Sequence, residues 1–132
     1  MNHLSLRREY YEGVSNLPHF LVGIDYEGCQ ICFDDIYFDE PSALARELQI
    51  LERCRNGQVA LDGGSRFRLT VSVERGGELL CRFRAEPNDF PGKLQLEGFF
   101  SIDGEFTGMA LHALIRLLSE GCPLTLHAGF CG

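Results

Sequence analysis

The chain has no tryptophan, and none of its apolar runs approaches the roughly 20 residues that a membrane-crossing helix needs. From Met1 to Arg8 the charges follow a short apolar stretch, the reverse of a secretory signal. The expectation is therefore a cytoplasmic protein with no membrane partner. An excess of basic residues is missing too. The formal net charge is −7, and a nucleic-acid binder ordinarily presents a basic face, so nucleic acid is not expected as a partner. No G-x-S-x-G elbow, P-loop, H-E-x-x-H or dinucleotide G-x-G-x-x-G occurs, and no reaction is specified. A second C-x-x-C and an H-x-x-x-H partner for Cys29-Gln-Ile-Cys32 are absent as well, so that pair lacks the ligands of a zinc site. A redox pair wants its first thiol at a helix N-terminus, whereas these cysteines fall on a predicted strand. His127, Cys131 and Cys122 lie close in sequence but match no ligand pattern. No metal and no cofactor are expected.

What is present fits one domain spanning residues 1–132. Hydrophobic residues make up 45% and charged residues 23%, which suffices for an ordinary core without metal or disulfides. The six cysteines are accordingly read as reduced, with Cys54 and Cys81 in apolar patterns. Charge is unevenly spread. Residues 1–40 hold eight acids against Arg7 and Arg8, and from Asp25 to Glu40 there are six acids and no Lys or Arg. Such a cluster either solvates an edge and caps a helix, or steers a positively charged partner.

Periodicity orders the elements as strand, strand, helix, four strands, helix. Residues 1–18 read as an arm or short helix, broken by Pro18. His19–Tyr26 and Cys29–Phe38 read as a hairpin turning at Glu27-Gly28. Ile24 then faces Ile31, and Val22 faces Phe33. The alternation fails at Asp34-Asp35, and a β-bulge there returns Ile36 and Phe38 to the core side. Asp39 is expected to cap a helix entered through Glu40 and Pro41, and Asn56-Gly57 to end it. Gln58–Leu61, Phe67–Val73, Leu79–Arg84 and Leu94–Ile102 alternate as strands of a meander, with a loop at Glu86–Gly92. Thr107 is expected to cap a last helix, ended by Gly121 and Pro123, before a short strand at Leu124–Leu126. The fold class is α+β, an antiparallel sheet of about six strands with two helices packed on one face, order ββαββββα.

Three groups of side chains invite a function. Asp103, Glu105, Glu97 and Asp89 could gather as carboxylates at one end of the sheet, although loop acids are also ordinary turn formers. His112 beside the last helix's core stripe reads as a packing or surface residue. Arg66, Arg68, Arg82 and Arg84 fall on the wet face of adjacent strands. Cross-strand pairing with Glu74, Glu78, Glu86 and Glu97 accounts for them, or else they bind an anion or the acidic edge of a second copy. Leu80 and Phe99 share that face and could belong to a partner or homodimer patch.

The segment Leu94-Gln-Leu-Glu-Gly-Phe-Phe-Ser-Ile-Asp-Gly-Glu-Phe, followed by an apolar helix, resembles the closing part of small bacterial α+β families. Some small acidic proteins of this kind are immunity proteins of polymorphic toxin systems. The resemblance is one of pattern over about residues 20–120, and it implies a protein that binds a basic toxin. The expected partner-binding residues are Asp25, Tyr26, Glu27, Asp34, Asp35 and Tyr37, with no catalytic residue assigned. The alternative is a small-ligand-binding protein or carboxylate-dependent hydrolase with a pocket between sheet and helices.

Overall fold

The computed structural model describes residues 2–9, 18–86 and 95–130. In chain order the elements are β1 (His3–Glu9), β2 (His19–Tyr26), β3 (Cys29–Ile36), α1 (Pro41–Cys54), β4 (Gly57–Asp62), β5 (Phe67–Val73), β6 (Leu79–Ala85), β7 (Leu96–Ile102), α2 (Thr107–Glu120) and β8 (Leu124–His127). A single turn of 3-10 helix, Gly104–Phe106, leads into α2. The fold is α+β, but the strands form two antiparallel four-stranded sheets, ordered β3-β2-β1-β8 and β4-β5-β6-β7. One sheet of about six strands is thereby corrected to two sheets. The difference lies at the two ends of the described chain. Residues 3–9, read as arm or helix, form a strand that pairs with β2 from His3↔Asp25 to Glu9↔His19. The expected last strand runs to His127 and pairs with the other side of β1.

Alternation gives each sheet one apolar face. Leu4, Leu6, Val22, Ile24, Phe33 and Leu126 are buried on the first sheet, and Leu69, Val71, Cys81, Phe83 and Ile102 on the second. They join one core cluster. Rings cross between the sheets: Phe33 meets Phe67 at 6.2 Å and Tyr26 meets Phe83 edge-on at 5.2 Å. The helices pack chiefly on each other, with α1 beside β4 and α2 beside β1 and β8, rather than side by side on one sheet face. No helix among the described residues is long and apolar enough to cross a membrane.

The β2–β3 hairpin follows its sequence reading closely. Glu27 and Gly28 both have positive φ, 51° and 81°, which makes the two-residue turn whose twist suits a hairpin. Ile24 faces Ile31 and Val22 faces Phe33, while Phe20 faces Ile36. Two residues, Asp34 and Asp35, therefore oppose Leu21 alone, and Asp35 takes φ 66°. This bulge buries Ile36 and Phe38 to 1% and 3% exposure.

The helix ends differ in detail. Glu40, not Asp39, is the N-cap of α1, at φ 48° and with no side-chain cap bond. Pro41 enters the first turn of α1, and the Glu40 carbonyl receives the N–H groups of Ala43 and Leu44. Arg55 ends α1 at φ 53°, one residue earlier than Asn56-Gly57. Phe106, not Thr107, is the N-cap of α2. The Thr107 hydroxyl donates to the Gly77 carbonyl at 2.6 Å and ties the start of α2 to the turn between β5 and β6. Gly121 ends α2 at φ 77°, as expected.

Leu69 lies on an interior strand and is wholly buried. Leu69→Ala should cost about 2–5 kcal/mol in urea unfolding. A loss under about 0.5 kcal/mol, the size of a surface substitution, would show that the inner face of β5 is not core.

Candidate functional site

With Leu69, Val71, Cys81 and Phe83 pointing inward, strand geometry turns their neighbours outward. The outer face of β5, β6 and β7 thus presents Arg68, Thr70, Arg82, Arg84, Glu97 and Phe99. The register sets Arg68 directly opposite Arg84, Thr70 opposite Arg82, Arg82 opposite Phe99, and Arg84 opposite Glu97. These six side chains, with Tyr26, Phe83 and Gly98, line a cleft of about 450 Å³. Phe99 is 62% exposed.

Gly98 gives the cleft its depth. It stands at an inward position of β7, opposite Phe83. A Cβ there would come within 2.6 Å of both the Tyr26 and the Phe83 rings. The missing side chain lets Tyr26 pass beneath β7, and the Tyr26 hydroxyl accepts a long hydrogen bond, 3.4 Å, from the Phe99 N–H. Sequence reasoning noted Phe99 and the arginines but not Gly98 or this use of Tyr26. The available signal was a glycine at a core-facing place in a strand, which marks close approach of another group.

Arg68, Arg82 and Arg84 do not pair as expected. They take no part in the ion pairs among the described residues, such as Arg7–Glu9, His19–Asp35 and Arg116–Glu120. Nearby acids are engaged locally. Glu97 accepts from Gln95 at 3.1 Å, Asp62 from the Gly64 N–H at 2.9 Å, and Glu74 from Ser72 at 3.4 Å. Arg66 leaves the group. It reaches toward the first sheet, donating to the Asp34 carbonyl at 3.3 Å and lying 5.6 Å from the Phe33 ring centre.

The six residues read as a partner surface separate into three places. Asp25 and Glu27 sit at the hairpin tip, where Asp25 accepts from Gln30, and Glu27 exchanges two 2.9 Å hydrogen bonds with Asn2. Asp34, Asp35 and Tyr37 gather at the far end of β3, roughly 13–20 Å of strand away at about 3.3 Å per residue. There the Asp35 carboxylate meets Nδ1 of the buried His19 at 2.8 Å, and the Tyr37 ring, 40% exposed, lies 4.2 Å from the His19 ring. Tyr26 belongs to the cleft.

The other candidates do not assemble. Among the described residues, no three His, Cys, Asp or Glu side chains are placed to hold a metal ion. Cys29 and Cys32 are free thiols on β3, half-buried and exposed respectively. Cys122 and His127 both line a cleft of about 400 Å³ with Arg116. Asp103 and Glu105 are exposed beside the 3-10 turn, and His112 is exposed on α2. Asp89 and Cys131 lie outside the described residues.

Burial pushes the Cys81 thiol up to about 12, which suppresses the reactive thiolate at neutral pH. A disulfide exchange reagent at pH 8 should modify the exposed Cys32 and Cys54 in the folded protein, and Cys81 only after unfolding. Peptide mass mapping would decide it, and equal labelling of Cys81 and Cys54 in the native state would refute the burial of β6. Gly98→Ala should cost about 1–3 kcal/mol through overpacking against Tyr26 and Phe83. The Tyr26 and Phe83 ring signals in NMR spectra should move in this variant, and unchanged Tyr26 resonances would contradict the close approach.

Family models, curated proteins and solved structures were each compared with the chain, and none of them matches it.

Proposed function

We propose that this chain is a cytoplasmic protein-binding domain that docks through the concave outer face of its second sheet. The reading that best suits a small acidic α+β protein of this pattern is an immunity protein, which neutralises a toxin by covering it. The supporting observation is the cleft itself: Arg68, Arg82 and Arg84, without ion-pair partners among the described residues, line it together with an exposed Phe99. Arginine and aromatic side chains dominate binding hot spots because each combines a large apolar surface with directional or charged contacts. An exposed phenylalanine at the edge of a cleft that Tyr26 also lines offers apolar area for an anchor.

A photo-crosslinking amino acid placed at Phe99 in the native cell should trap one discrete protein. The same residue placed at Ile50, exposed on α1, should not. Phe99→Ser should then weaken binding of the trapped protein roughly 30-fold, the factor expected for a residue contributing about 2 kcal/mol, with little change in melting temperature. For the immunity reading, expression of the trapped protein alone should arrest growth. Co-expression of the wild-type chain, but not of Phe99→Ser, should restore it. No adduct at Phe99, or equal adducts at both positions, would end the proposal.

A second surface has its own support: the exposed group Asp34, Asp35 and Tyr37 at the bulge, with Asp25 and Glu27 at the other end of the same hairpin. If a basic partner docks there, reversing the charge at the four acids should slow association, most strongly at low salt. An unchanged association rate would remove that surface.

A further inference from the structure

We infer that Arg68 and Arg84, assisted by Arg82, form a carboxylate-recognition site that takes an Asp or Glu side chain of an acidic segment on the partner protein. The inference rests on the docking face proposed above and names the chemistry that face reads.

Like charges directly opposite each other on neighbouring strands destabilise a sheet, because their Cβ atoms lie only about 5 Å apart. Arg68 and Arg84 hold that relation. A sheet built only for stability would answer them with an acid. Glu97 stands opposite Arg84 and Asp62 opposite Arg68, in the right register to do so. Neither forms an ion pair with them: Glu97 accepts from Gln95, and Asp62 turns back to the Gly64 N–H. Arg82 stands two residues from Arg84 on β6, opposite Thr70 and diagonal to Arg68. Three arginines therefore line a cleft with a single acid, Glu97, and none of the three joins an ion pair among the described residues; an anion from outside can balance the excess positive charge. Guanidinium forks match carboxylates in a bidentate manner. Phe99 and the Tyr26 edge supply an apolar wall beside them, suited to a hydrophobic side chain next to the acid.

The anion's source follows from the rest of the molecule. A nucleic acid gains affinity by having many phosphates neutralised along a track. Here three arginines sit on a chain of net charge −7, which repels a polyanion at longer range. A short acidic peptide segment needs only the local charges. A second copy of the chain could offer its own acids, and that occupant would appear as an oligomer in the test below.

The site can be tested with the whole protein and defined probes. The synthetic peptide Glu-Glu-Phe-Asp-Glu, blocked at both ends, should shift the arginine Nε–H signals of Arg68 and Arg84 and the Phe99 amide in NMR titration. The double variant Arg68→Gln/Arg84→Gln should bind it at least tenfold more weakly. Binding should also fail when Gln and Asn replace the peptide's acids. Equal binding of that neutral peptide would sink carboxylate recognition while leaving Phe99 as a docking residue. Stronger binding of an oligothymidylate would favour a nucleic-acid site and overturn the proposal. So would a peptide-displaceable oligomer seen in sedimentation, by favouring a second copy. Failure of the docking face as a whole would appear separately, as loss of the crosslink at Phe99. An independent readout needs no peptide. At low salt Arg84→Gln should raise the melting temperature by about 1–3 °C, since it removes a like-charge pair. Sulfate should then stabilise wild type more than the variant. A lowered melting temperature with Arg84→Gln would make these arginines structural.

Discussion

A sheet that alternates apolar and polar side chains must hide one face and cannot hide the other. The chain has two such sheets, and neither could stand alone. The apolar rows of Leu4, Leu6, Val22 and Ile24 on one, and of Leu69, Val71, Cys81 and Phe83 on the other, are covered in a single core. Aromatic rings bridge the sheets where Phe33 meets Phe67 and Tyr26 meets Phe83. The bulge at Asp34-Asp35 serves the same condition. Without it Ile36 would leave the core side and an aspartate would enter. The outer faces stay wet as a consequence, and it is on one of them that the arginines stand.

That outer face is shaped by what the inner face lets through. Gly98 removes one side chain from the inner row of β7, and Tyr26 fills the space from the first sheet. A residue of the β2–β3 hairpin thereby becomes part of a cleft on the opposite sheet. The hairpin and the cleft are mechanically joined: whatever displaces Tyr26 disturbs the edge of β7 at Phe99. The core and the cleft thus share a residue.

Much of this was legible as local pattern. The hairpin register, the bulge, strands β5 to β7 and both helices follow from periodicity and turn residues within short windows. β1 was not legible, because Leu4 and Leu6 followed by Tyr10, Tyr11 and Val14 fit a short helix as readily as a strand. Its partners, β2 and β8, are fixed by tertiary pairing that no window contains. The division into two sheets depends on those pairings and was missed with them. For the site, strand parity placed Arg68, Arg82 and Arg84 on the outer face. It could not show that Glu97 and Asp62, although in register, would form no ion pair with these arginines and would accept from Gln95 and the Gly64 N–H. The acids from Asp25 to Asp35 formed one cluster in sequence, but an extended strand carries its ends apart.

The position of β1 bears on how the chain is made. β1 leads the described strands and β8 closes them, yet the two lie side by side, His3 against His127. During synthesis the second sheet can pair completely from neighbouring segments, each strand meeting the one just before it. The first sheet cannot. Its β1 edge waits, with its backbone donors and acceptors unsatisfied, until β8 has left the ribosome. An open edge of this kind is where nascent chains mispair. Arg7, exposed on β1, puts a charge on that waiting strand, the device by which sheet edges commonly resist association. The last of the described strands is thus the one that covers the β1 edge.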